Sequence, residues 1–227
     1  MKIYLHLLIL FCLSFQGISQ KYSVLLGRPT DKTMTFSVLF DQNIEYYLEY
    51  GTQSGNYATK SIVYTENANV PKELDIEGLI KNTRYYYRVQ YRLKGGSTYT
   101  PSPEYSFITQ RNPGTSFTFT VEADEHLYDK KGVDNLYRIC LENQLKDKPD
   151  FMLSLGDTFG DDHNPTTITS AELKTLHANY RPFLANIGHS VPFFFCMGNH
   201  EGENNYYIKN NPPNNLTIQA TLWRKYY

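Results

Sequence analysis

Cysteine is scarce in this chain, and that excludes a fold built on disulfides. Only Cys12, Cys140 and Cys196 occur among 227 residues. Their spacing matches neither a disulfide framework nor a metal knuckle. Cys12 lies in an N-terminal leader, Cys140 in a helical pattern and Cys196 in an apolar run that reads as a buried strand. In an exported protein the last two could pair. Such positions also hide free thiols routinely, and free thiols are the expectation. An excess of one charge is missing too. Beyond residue 19 there are 21 basic and 23 acidic residues, a formal charge of −2, which argues against a nucleic-acid or anionic-membrane binder. Long apolar runs are absent outside the leader, so no membrane span is expected.

The leader itself has the parts of a secretory signal. Lys2 supplies the charge, Leu7–Leu13 the apolar stretch, and Gly17 and Ser19 the small residues before a cut at Gln20. A lipid anchor on Cys12 is the rival reading. Ile9, Leu10 and Phe11 lack the small residue it would want. A secreted or periplasmic location is the expectation. About 208 residues remain, enough for two modest domains.

Residues 20–109 hold twelve of the twenty tyrosines. Alternating runs such as Thr33–Phe40, Glu45–Tyr50 and Thr83–Leu93 are separated by turn residues, among them Gly51, Lys81-Asn82 and Gly95-Gly96. Short strands punctuated this way predict an all-β sandwich. Period two puts Tyr85, Tyr87, Val89 and Tyr91 inward, and Tyr86, Arg88, Gln90 and Arg92 outward. Tyrosines of this kind more often fill cores and sheet faces than stack on sugars. Residues 109–115, Thr-Gln-Arg-Asn-Pro-Gly-Thr, read as a linker.

From residue 116 the texture changes. Apolar runs at Ser116–Glu122, Phe151–Leu155 and Val191–Met197 are followed by Asp124-Glu125-His126, Gly156-Asp157 and Gly198-Asn199-His200-Glu201. Helical stripes lie between them: Val133, Leu136, Tyr137, Cys140 and Leu141, then Leu173, Leu176, His177, Tyr180 and Leu184. Asp134 favours the first helix start, and Pro182 predicts a kink or break in the second. His177 reads as a packed histidine. Strand, helix, strand, helix, strand is the order of a parallel sheet. Loops at the carboxyl ends of such strands converge on one crevice. One of the three strings alone would pass as turn residues. Three in order, each after a strand, do not. They offer two carboxylates, an imidazole and an amide oxygen, with a second imidazole beside them. That set suits two metals sharing a bridging carboxylate, and a metal pair acts on phosphate esters.

At these residues the chain resembles the calcineurin-like metallophosphoesterase superfamily, whose D-x-H, G-D and G-N-H-[ED] blocks come in this order. The resemblance covers residues 116–227 and implies the first half of an α/β fold, βαβαβ with parallel strands. It implies Asp124 and His126 as ligands of one metal, Asp157 as the bridge, and Asn199 as ligand of the second. His200 would face the substrate as acid or charge stabiliser. The implied cofactors are two divalent or trivalent ions of zinc, manganese or iron, and the implied substrate is a phosphate ester. Leu79, Thr83 and Tyr85 are spaced as in the tyrosine corner of fibronectin type III domains. Such a module before a metallophosphoesterase resembles the purple acid phosphatase arrangement. Two positions depart from the purple type: His126 stands where those enzymes have Gly, and Gly160 where they have the iron-binding Tyr. A ferric, coloured centre is therefore not expected.

The superfamily continues with a further His and a Gly-His-x-His block. Neither follows Glu201, and the spare His163, His177 and His189 all precede Asn199. The expectation is an N-terminal fragment, weakly active or inactive by itself. The alternatives are a non-catalytic secreted binding protein that keeps the sandwich, and a metal-binding domain without turnover. Asp161-Asp-His163 reads as a solvated loop, and Asn215-Leu-Thr217 as a glycosylation acceptor in a eukaryotic host.

Overall fold

The computed structural model describes residues 22–127, 131–158 and 170–198. The leader, Gly160 to His163, Asn199, His200 and Asn215 lie outside them.

Two sheets form the N-terminal sandwich. The first has the order β1-β2-β6, from Tyr22–Gly27, Met34–Phe40 and Lys72–Ile76, all antiparallel. The second is built on β3 (Ile44–Gly51) and β7 (Arg84–Leu93), paired along their length from Ile44↔Leu93 to Gly51↔Tyr86. Its edges are β4 (Thr59–Lys60) and β5 (Tyr64–Glu66) on β3, and β8 (Thr100–Pro101) and β9 (Tyr105–Ile108) on β7. Alternation follows the sequence expectation through Val89 and fails at Gln90, expected outward but buried, where its Nε2 donates to the buried Glu49 carboxylate at 2.9 Å. Tyr85, Tyr87 and Val89 are buried in a core with Phe36, Phe40, Tyr46 and Phe107, and Arg88 and Arg92 turn outward to pair with Glu49 and Glu45. Tyr85, 6% exposed, accepts the Ile80 N–H at 2.9 Å. This bond pins the β6–β7 crossing, as the corner spacing implied.

The second region is a parallel sheet ordered β10-β11-β12, from Phe119–Glu122, Phe151–Ser154 and Phe193–Phe195. Helices α1 (Asp134–Lys146) and α2 (Ser170–Gly188) make the crossovers. They cover one face, where Met152, Tyr137, Leu141, Ile187 and Val191 form a core.

Three sequence expectations need correction. Helix α2 continues through Pro182, so of the expected kink or break the break does not occur. Pro182 lies on an exposed side of a helix whose opposite side is anchored by Tyr180, Arg181 and Leu184. Cys140 is exposed, because α1 packs through Tyr137 and Leu141 while Val133 and Leu136 point away. Cys196 is exposed as well and follows β12, with its N–H bonded to Ser154 O at 2.8 Å. Both thiols are free.

Helix α2 also binds the two regions together. Buried Arg181 donates from Nε to Ser23 Oγ at 2.6 Å and from Nη2 to the Ser37 carbonyl at 2.7 Å. Burial lowers its pKa to about 9. Leu25 of β1 packs with Tyr180 and Leu184, and a Cβ at Gly188 would meet the Leu25 side chain at 2.5 Å. Tyr87 donates to the His189 carbonyl at 2.6 Å, and the Tyr105 and His189 rings stack at 4.2 Å.

Candidate metal centre

The parallel ladder carries the sequence strings to one edge. Leu155 N–H bonds Glu122 O at 2.9 Å, and Asp124 N–H bonds Gly156 O at 3.3 Å. The first string therefore lies directly against the second. Gly198 closes on the second from the other side. A Cβ there would fall 2.1 Å from Asp157 Oδ1 and 2.6 Å from Asp157 N, so only glycine fits. Asp124, His126 and Asp157 thus share the carboxyl edge of the sheet, and Gly198 brings the chain to that edge immediately before Asn199.

The backbone at this edge is unusual. Asp124, His126 and Asp157 all have left-handed φ, at 59°, 51° and 62°. Side chains other than glycine reach that region at a cost of roughly 1–2 kcal/mol, and such residues collect at functional sites. Gly132 supports the first turn: its N–H donates to His126 O at 2.8 Å. A Cβ on Gly132 would meet Glu125 O at 2.0 Å.

His126 Nε2 lies 3.7 Å from Asp124 Oδ1, with side-chain exposures of 25% and 58%. Two donors on one tetrahedral metal stand roughly 3.3–3.6 Å apart. Exposure on the carboxylate side leaves access for an ion and a substrate. Among the described residues, no three His, Cys, Asp or Glu side chains stand close enough to hold a metal. The donor types and the Asp124–His126 spacing fit one ion at this pair, with Asp157 on the adjoining strand end.

One carboxylate behind the edge, Glu122, escaped the sequence reading. Glu122 ends β10 on the helix-covered face, where period two from Thr120 puts it. Burial pushes its pKa up to about 7; the bond from Tyr137 OH at 2.8 Å opposes the rise, and the nearby Glu125 charge adds to it. The available signal was that alternation, which points Glu122 inward beside the helix carrying Tyr137.

The site falls in a region that resembles a known family. Residues 117–226 match the family model of calcineurin-like phosphoesterases. The matched region follows the N-terminal β-sandwich and takes in all three sheet-edge strings. The family is one of phosphoric ester hydrolases with a dimetal centre and a phosphate ester substrate. Two solved structures share the fold. PhoD is 21% identical with a TM-score of 0.57, covering 87% of this chain and 42% of its own. Purple acid phosphatase PPD1 from yellow lupin (Lupinus luteus) seeds is 17% identical with a TM-score of 0.62, covering 91% and 40%. The chain thus spans about two fifths of either neighbour's length. No curated protein matches it. Among the described residues, no helix is long and apolar enough to cross a membrane.

Proposed function

We propose that this is an exported, metal-dependent phosphoesterase whose ions are held by the three converging strings. The observation that carries the reading is the meeting of Asp124, His126 and Asp157 at one sheet edge, with left-handed backbone at each. Asp124 and His126 hold the first ion, Asp157 bridges, and Asn199 serves the second. When bound, such an ion pair lowers the pKa of an attacking water and offsets charge on the phosphoryl oxygens. Asp157 would be the donor shared by both ions. Neutral Asn199 leaves the pair more positive than a second carboxylate would. His200 donates a proton to the leaving oxygen or stabilises its charge. With Gly160 in place of a tyrosine, no phenolate is offered there, so zinc, manganese or uncoloured iron is the fitting cofactor. Export rests on the charged, apolar and small-residue order of residues 1–19.

The second ion has only Asp157 and Asn199 among these donors, a weak pair. Turnover by this polypeptide alone is therefore expected to be feeble. The test is hydrolysis of a chromogenic phosphate ester by the mature chain with added zinc, manganese or iron. Low, metal-dependent turnover that disappears in Asp157→Ala supports the proposal. Turnover that survives both a chelator and Asp157→Ala overturns it.

A further inference from the structure

A cleft lined by both charged and apolar side chains lies at the amino end of the parallel sheet. Its volume is about 400 Å³, and it opens between the sandwich and the α/β region. Pro149 and Val191, just before β11 and β12, form part of its wall. The metal edge lies beyond the other end of those strands, roughly 13 Å of extended chain away.

Two cations from different regions line it: Arg84, the first residue of β7, and Lys148, just past α1. Neither forms an ion pair among the described residues. Arg84 has five N–H donors, and Nη1 uses one to bond Ser106 Oγ at 3.2 Å. In that bond the Ser106 oxygen accepts, so its hydroxyl hydrogen can still donate. Lys148 has left-handed backbone, φ 51°. Helices usually place Gly or Asn at such a terminus, so a lysine is kept here at a backbone cost. Its N–H and that of Asp147 satisfy the Leu145 and Gln144 carbonyls, which softens the negative helix end. The one carboxylate lining the cleft, Glu104, is engaged by Ser54 Oγ, the Gly55 N–H and Tyr57 OH.

A guanidinium, an ammonium and a hydroxyl group are the donors a phosphate group takes. The volume exceeds what a bare oxyanion needs and lies within the range of small-molecule sites. Ile108, Leu145 and Val191 supply apolar wall for the remainder. We propose that this cleft binds a small phosphorylated molecule, with its phosphate between Arg84 and Lys148, as a site separate from the metal centre.

The test is calorimetric titration of glycerol 3-phosphate, inorganic phosphate and neutral glycerol into chelator-treated Asp157→Ala protein. That background removes the metal centre as a source of phosphate binding. Saturable binding of glycerol 3-phosphate is expected, with weaker binding of inorganic phosphate and none of glycerol. Adding Arg84→Gln and Lys148→Gln should weaken it at least tenfold, and Arg84→Lys should restore part of the loss. No saturable binding, or affinity unchanged in the double variant, would overturn the proposal. Either result leaves the phosphoesterase reading to its own assay.

Discussion

The sandwich and the parallel sheet solve the same burial problem differently. The sandwich encloses its own core between two sheets, with aromatic contacts such as Phe36–Tyr87 at 5.0 Å crossing the interior. Among the described residues, the helices cover one face of the parallel sheet. On the other, Phe119, Val121 and Phe194 stay exposed among the described residues, at 47%, 48% and 40%. Phe117, Phe119 and Phe151 stack there with one another, and Phe194 meets Phe151 edge-on. Parallel sheets are normally buried on both faces. The comparison teaches that the sandwich encloses its core by itself, while the described part of the parallel sheet leaves apolar side chains for further cover. Arg181 and Leu25 join the sandwich to helix α2.

The sharpest way to break this contrast is inside the sandwich. Phe36→Ala, at a site 1% exposed, should cost about 3–5 kcal/mol in denaturant unfolding. A loss below about 1 kcal/mol would mean the core is not the source of the sandwich's stability. Arg181→Ala comes next, at about 2–3 kcal/mol, because it leaves Ser23 and the Ser37 carbonyl without their buried donor. It should also separate the unfolding of the two regions, seen as two transitions instead of one.

The contact between regions should respond to pH through His189. Burial depresses its pKa to about 4. The folded state therefore resists a proton that the unfolded chain accepts near 6.5. The contact is unaffected above pH 6.5, and stability falls as pH drops from 6.5 towards 4, by on the order of 3 kcal/mol. His189→Phe keeps a ring against Tyr105 and should flatten that part of the pH profile. The smallest effect belongs to the open face. Phe119→Ser should change unfolding free energy by less than about 1 kcal/mol while reducing self-association in light scattering. A cost like that of Phe36→Ala would show the face to be covered.

What sequence could reveal follows the same divide. Alternation in 84–93 defined the core face of β7, because a strand buried on one side repeats every two residues, yet it did not reveal that Gln90 on the other face is buried against Glu49. Three strings after three apolar runs gave the parallel order and the shared edge, since each string directly follows a strand. Periodicity marked α1 as amphipathic, yet it did not say which part of the stripe would be covered. That depends on where α2 lies, and Leu136 and Cys140 ended up outside. Arg181 was invisible for a related reason: a buried charge is recognisable only with its partners, and Ser23 and Ser37 are over 140 residues away in sequence. The left-handed turns at Asp124, His126 and Asp157 had no marker at those residues beyond the neighbouring Gly156.

The central claim is that Asp124 and His126 form a metal-binding pair on the sheet edge, and metal retention tests it most directly. The mature chain is loaded with zinc or manganese, dialysed exhaustively and assayed for bound metal. The account expects about one equivalent retained by the wild type. Asp124→Ala and His126→Ala should weaken binding at least tenfold, while Arg84→Gln retains metal like the wild type. No retained metal in the wild type, or equal retention in all four proteins, would contradict it.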